Sequence, residues 1–303
     1  MACGIADLLI LRRTMNFDRT GKSAVLAKLE GCFTRGIEYR WNVFRPYVDR
    51  LAEGSSVLDM GCGSLVETHY LAQRKLRVTG IDLEAQRLEE YERRYDWSGL
   101  PKPALRAASL SDIAKESSRF DLIITFDTLE HLPPELLQPT LSDLRTLLNP
   151  GAVLMITVPN KLSTFELYQM AVLKLIRLTG RKMEAGVPHL TVKTSKEWKQ
   201  SFESAGFDIT AWDMAIGPLM NTWYVMTTAP LALGLQGLEA LRLVSRGTRH
   251  KLVKNFNEVV LFPGWLKLLN SIDEACRSKL SRFFAWNLVV LQAKECVSQN
   301  AVA

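Results

Sequence analysis

The sequence predicts a doubly wound α/β fold on three observations. Short apolar runs of strand type alternate with helix-compatible stretches from Ser56 to Trp212. The run Phe120 to Phe126 is apolar almost throughout, as a strand buried on both faces of a parallel sheet requires. Each run ends in glycine or polar residues, and an open parallel sheet binds ligands beyond those carboxyl ends.

The chain has 303 residues, 47% hydrophobic and 23% charged, enough to bury a full core. Its five cysteines form no C-x-x-C pair and its four histidines no H-E-x-x-H, which argues against a disulfide framework or a zinc site and fits a reducing, cytoplasmic setting. Met1 to Leu11 includes Asp7 and lacks a basic lead-in, so it does not read as a signal peptide. The net charge is +6, and the excess lies in 240–282, with nine Lys or Arg against three Asp or Glu.

The elements follow in order. Ile37, Trp41, Phe44, Val48 and Leu51 mark one face of a helix, which Pro46 is placed to break or kink. Ser56 to Met60 is the first strand, Gly61 to Gly63 a turn, Glu67 to Arg74 a helix and Arg77 to Asp82 a second strand, which has the length of a right-handed β-α-β unit. Leu83 to Tyr95 reads as a helix, Ala104 to Ala108 as a short strand and Phe120 to Phe126 as the fourth strand. Pro133-Pro134 opens a helix to Leu148, Asn149-Pro150-Gly151 reads as a turn, and Ala152 to Val158 as a fifth strand. In the helix from Lys161 to Thr179, Glu166, Lys174, Arg177 and Arg181 fall on one polar stripe, and Gly180 closes it. Ser195 to Ala205 is amphipathic helix, Phe207 to Trp212 a sixth strand and Trp286 to Ala293 the last. Leu219 to Leu238 carries no charge, but Pro230, Gly234 and Gly237 argue for a buried or interfacial helix over a membrane span.

The strand ends collect the candidate site: Asp59 to Gly63, Asp82, Ser109-Leu110, Phe126 to His131 and Pro159-Asn160. A carboxylate at Asp82, 23 positions after Asp59, suits a ribose diol because it accepts two hydrogen bonds. A dinucleotide fingerprint wants G-x-G-x-x-G, and here no third glycine follows Gly63. Asp59, just ahead of the loop, would repel a pyrophosphate and welcome an ammonium group.

V-L-D-M-G-C-G-S at 57–64, G-I-D at 80–82, F-D-L-I-I-T-F-D-T-L-E-H-L at 120–132, L-L-N-P-G-A-V-L-M-I-T-V-P-N at 147–160 and S-A-G-F at 204–207 resemble class I S-adenosylmethionine-dependent methyltransferases. P-N-K, the apolar helical insertion and Pro188-His189-Leu190-Thr191 are similar to the ubiquinone-biosynthesis O-methyltransferases. The resemblance implies a Rossmann-like, doubly wound sheet of seven strands with helical insertions. It divides the chain into an extension at 1–36, the methyltransferase domain at 37–213 and 284–297, a helical cap at 214–283 and a tail at 298–303.

The cofactor implied is S-adenosyl-L-methionine. Gly61 and Gly63 would admit its methionine part, Asp59 would orient its amino group, Asp82 would hold the ribose diol and Leu83 would pack on adenine. Relatives carry an acidic residue where this chain has Ser109, which moves adenine recognition toward backbone groups and Leu110. Many relatives have glycine at Leu65. Phe126 borders the cofactor, and Arg40, ahead of the first strand, is a candidate partner for its carboxylate. His131 and His189 are the candidate bases for an acceptor that must lose a proton.

Two insertions, 161–182 and 214–283, carry the choice of acceptor. Both are apolar with basic residues, which suits a small-molecule or lipid-like acceptor, and 161–182 and 219–254 are the segments for peripheral membrane contact. An RNA or protein methyltransferase is the competing class, on Arg242, Arg246, Arg249, Lys251 and Lys254. The lack of interleaved aromatics makes nucleic acid the weaker partner. A non-catalytic cofactor-binding or scaffold protein is the third class.

Overall fold

The computed structural model describes residues 39–116, 118–178, 189–240, 243–245, 248, 252 and 263–294. The expected extension at 1–36, the tail at 298–303, Gly180, Arg181 and the basic residues at 242, 246, 249, 251 and 254 lie outside them. The strands are β1 Ser56–Met60, β2 Arg77–Asp82, β3 Ala104–Ala107, β4 Phe120–Phe126, β5 Leu148–Pro159, β6 Phe207–Ala215 and β7 Trp286–Ala293. The helices are α1 Tyr39–Val48, α2 Val66–Gln73, α3 Ala85–Glu92, α4 Leu110–Ala114, α5 Pro134–Thr146, α6 Thr164–Leu178, α7 Ser195–Ser204, α8 Pro218–Ala240, α9 Pro263–Ala275 and α10 Arg277–Leu280. Two compact units result, the described residues of 44–158, 196–213 and 288–294 in one and those of 39–43, 159–195 and 214–287 in the other.

The first unit holds the sheet, in the order β3-β2-β1-β4-β5-β7-β6. The pairs from β3 through β5 are parallel. β6 and β7 run antiparallel: the Lys294 N–H donates to Gly206 O at 3.0 Å and the Thr210 hydroxyl to Val290 O at 3.1 Å. Strand order reverses between β1 and β4, the point where a doubly wound sheet opens its ligand crevice.

The core forms because apolar spacing in the helices matches the buried strands. Leu137, Leu141 and Leu144 of α5 recur at four and three residues, and all three are buried in the same core cluster as Ile123, Leu154 and Ile156 of the strands. Trp198 and Phe202 of α7 stack at 5.7 Å and are fully buried. Each such side chain contributes about 1.5–3 kcal/mol by leaving water.

Three local expectations change. Pro46 does not end α1; it sits inside the helix. Asn149-Pro150-Gly151 is not a separate turn but an irregularity within β5. The partner of Phe120 is Leu148 and that of Leu122 is Val153, so the intervening residues bulge, with Gly151 at φ 77°. β6 runs three residues past Trp212, to Ala215.

The second unit is mainly helical, with α8 packed on α6 and on α9. Asp273 of α9 accepts the N–H groups of Leu219 and Met220, both at 3.0 Å, and so satisfies donors that the first turn of α8 leaves open. Gly217 makes that approach possible, because a Cβ there would stand 2.2 Å from Asp273 Cγ. Asn160, noted in the sequence at a strand end, is buried and its amide donates to Arg282 O at 2.7 Å and Phe284 O at 2.9 Å. It fastens the end of β5 to the chain entering β7. No described helix is long and apolar enough to cross a membrane.

Candidate functional site

The first unit brings Asp59, Gly61, Gly63, Asp82 and Leu83 together at the carboxyl ends of β1 and β2. Asp59 stands in register with Gly80 on one side and Ile124 on the other. It is buried, and one carboxylate oxygen accepts the Thr68 hydroxyl at 2.6 Å. Burial pushes its pKa up to about 7; nearby Glu67 and Asp82 add to the rise, and the Thr68 hydrogen bond opposes it.

The glycine loop is held from three directions. The N–H groups of Gly61 and Cys62 both donate to Ile81 O, at 2.8 and 3.0 Å. The Gly63 N–H donates to Asp82 Oδ2 at 3.0 Å, while Asp82 Oδ1 accepts the Glu84 N–H at 3.1 Å. Tyr95 donates its hydroxyl to Ser64 O at 2.9 Å. Gly61 and Gly63 adopt φ of 75° and 45°. A side chain at Gly61 would also meet Thr128, whose Oγ1 would lie 2.3 Å from the added Cβ.

Leu65 takes φ 59° and ψ 18°, the left-handed conformation that glycine adopts without strain. The backbone is thus the one glycine would give. The leucine side chain is buried beside Cys62, Leu88 and Tyr91, where it anchors the start of α2. Burial also raises the Cys62 thiol pKa, which keeps it protonated.

Leu83 is 78% exposed beside Asp82, an unusual position for a large apolar side chain. Ser109 is the N-cap of α4, and its N–H and hydroxyl both donate to Asp112, at 3.1 and 2.6 Å. Leu110 belongs to the core. Phe126 is buried and stacks on Phe44 at 5.1 Å. His131 ends the short 3-10 turn Leu129–His131 after β4 and is half-buried.

Arg40 and His189 belong to the second unit. Arg40 lies in the first turn of α1 and is half-buried. His189 Nδ1 lies 2.7 Å from Glu166 Oε1, with both side chains buried. This corrects the polar stripe of α6: Glu166 faces the protein interior, while Lys174 is exposed. Glu166 sits at the edge of that stripe, where helical periodicity does not separate a solvated carboxylate from a buried one.

Sequence reasoning missed Thr68, Thr128, Tyr95 and Arg87. Arg87 Nη2 would lie 3.5 Å from a Cβ on Gly63, and Arg87 Nε is buried without a hydrogen-bond acceptor among the described residues. Each reaches the loop from another element, at spacings that carry no local signal. Together the loop presents two carboxylates, backbone in the positive-φ region and one guanidinium. That set fits a ligand with a cationic amine and a vicinal diol better than a pyrophosphate.

A family model described as a methyltransferase domain matches residues 36–211, more than half of the chain. The ubiquinone biosynthesis O-methyltransferase of Haemophilus ducreyi is 29% identical over 124 residues, covering 40% of this chain and 51% of that one. A protein of Mycolicibacterium smegmatis named as a probable S-adenosylmethionine-dependent methyltransferase is 24% identical over 156 residues, covering 52% of this chain and 53% of that one. The chain therefore spans about half the length of these curated relatives. Among solved structures, the cyclopropane synthase MmaA2 from Mycobacterium tuberculosis shares the fold with a TM-score of 0.52 at 16% identity, covering 82% of this chain and 84% of that one. With the glycine loop, Asp59 and Asp82 all inside the matched region, this chain belongs to the methyltransferase-domain family.

Proposed function

We propose that the chain transfers a methyl group from S-adenosyl-L-methionine to an oxygen of a small-molecule or lipid-like acceptor. The observation that carries this reading is the pairing of a buried carboxylate, Asp59, with a glycine loop tied down by Asp82. When bound, the cofactor supplies an electrophilic methyl on sulfonium. Asp59 holds its amino group, and Asp82, already oriented by the Gly63 and Glu84 N–H groups, accepts the ribose hydroxyls. Leu83, exposed beside Asp82, would pack on adenine, with backbone groups at Ser109 and Leu110 offered to it. Phe126 walls the pocket, while Arg40 and Arg87 are the cations offered to the carboxylate.

Methyl transfer asks mainly for in-line approach, with a base where the acceptor is a hydroxyl. His131 and His189 are the proposed bases. A histidine that donates Nδ1–H to a carboxylate carries its basic lone pair on Nε2, and Glu166 is placed to hold His189 in that tautomer. Residues 214–283 act in this reading as a cap that selects the acceptor. Oxygen as the target rests on the likeness to the ubiquinone biosynthesis O-methyltransferases.

The test is a screen of phenolic and lipid-like acceptors with a labelled methyl donor, run beside calorimetry with S-adenosylhomocysteine. Binding of the cofactor product and label on an oxygen support the proposal. No binding would leave a scaffold role, and label on RNA or protein alone would replace the acceptor class.

A further inference from the structure

We propose that α8 and α9 form a surface that docks on an anionic phospholipid bilayer. On α9, Trp265, Leu268 and Ile272 are all exposed, Leu268 at 49%. Their spacing of three and four places them within about 60° of one face at ~100° per residue. Asn270 and Asp273, on another face of the same helix, are buried. On α8, Leu219 and Met226 are exposed, Met226 at 70%, and the half-buried Trp223 lies between them on the same face. Trp223 meets Trp265 edge-on with ring centroids 5.4 Å apart, which joins the two stripes into one apolar surface.

A contiguous apolar surface that spans two helices marks an interaction site, whereas scattered exposed leucines need no explanation. Charge selects the occupant. The segment linking α8 to α9 carries Arg242, Arg246, Arg249, Lys251 and Lys254 against the single acidic residue Glu258. Apolar insertion and cationic attraction add at an anionic bilayer, and tryptophan favours the interface between headgroups and acyl chains. A second copy of this chain would carry the same net positive linking sequence, and like charges would oppose the contact. RNA would use the charges but leave the apolar side chains in water.

This inference stands apart from the methyl-transfer reading and is tested without activity. The full chain is floated with vesicles of phosphatidylcholine alone and of phosphatidylcholine with phosphatidylglycerol. It is expected to rise with the second and not the first. Trp265→Ser combined with Leu268→Ser should lower the recovered fraction on the order of tenfold, with the circular dichroism spectrum and S-adenosylhomocysteine binding unchanged. Should that variant not fold, Met226→Cys carrying an environment-sensitive fluorophore reads the same contact, and a blue shift on anionic vesicles supports it. Several results would overturn the proposal: no flotation, equal flotation on both vesicles, no fluorophore shift, or a concentration-dependent dimer or RNA complex lost in the double variant.

Discussion

The Asp82 carboxylate accepts the Gly63 N–H at 3.0 Å, so the end of β2 holds the glycine loop that follows β1. One side chain thereby sets the loop and, in the proposed function, would also hold the cofactor's ribose. Asp82→Ala is expected to weaken S-adenosylhomocysteine on the order of 100-fold, the loss of two hydrogen bonds to a charged acceptor. Asp82→Asn, which keeps one acceptor oxygen, should lose less. Calorimetry reads both, and wild-type affinity in Asp82→Ala would remove Asp82 from the site.

If Asp59 holds the cofactor's amino group as proposed, cofactor binding is expected to depend on pH. Its carboxyl titrates near 7 because it is buried, so below that pH an incoming ammonium group must displace a proton. Affinity should rise from pH 6 to pH 8, with proton release at the lower pH. Thr68→Val, which removes the hydrogen bond favouring the ionised form, should move the profile to higher pH. A flat profile in calorimetry would contradict the assignment.

The same group links pH to stability. A carboxyl with a raised folded-state pKa binds more protons folded than unfolded, so its contribution is greatest below about 4 and is lost as pH rises toward about 7. Asp59→Asn should therefore gain stability relative to wild type between those limits, by a few kcal/mol at most, and level off above pH 7. Urea denaturation at pH 5 and pH 8 makes the comparison.

Leu65 inverts the usual order of alanine and glycine. Leu65→Ala keeps the left-handed strain and loses the buried side chain, for an expected cost of about 2–5 kcal/mol. Leu65→Gly loses the same packing but releases about 1 kcal/mol of backbone strain. Glycine should thus denature at higher urea than alanine, and the opposite order would refute the reading.

In the helical unit, Gly217→Ala should be worse than Asp273→Ala. The first puts a methyl 2.2–2.4 Å from three Asp273 atoms and forces the backbone to shift, at about 3 kcal/mol or more. The second removes a cap, at about 1–3 kcal/mol. Thermal denaturation of both variants checks the order.

Much of the fold was legible because its signals are local. Apolar runs, the spacing of Leu137, Leu141 and Leu144, and the glycine turn after Met60 each specify their element within a few residues. Asn149-Pro150-Gly151 misled because a turn-like tripeptide can bulge from a strand when its neighbours are already paired, while Pro46 left open a break that the helix does not make.

The sequence by itself determined the strand order's raw material and the chemistry of the loop: two aspartates, two glycines and no third glycine for a pyrophosphate. Tertiary structure decided what each polar group does once elements meet. Asp59 reached Thr68, Asn160 went to the main chain before β7, and Glu166, on the edge of its helical stripe, paired with His189. Hydrogen bonds between residues far apart in the chain are fixed by packing, and buried polar groups must find partners wherever packing leaves them.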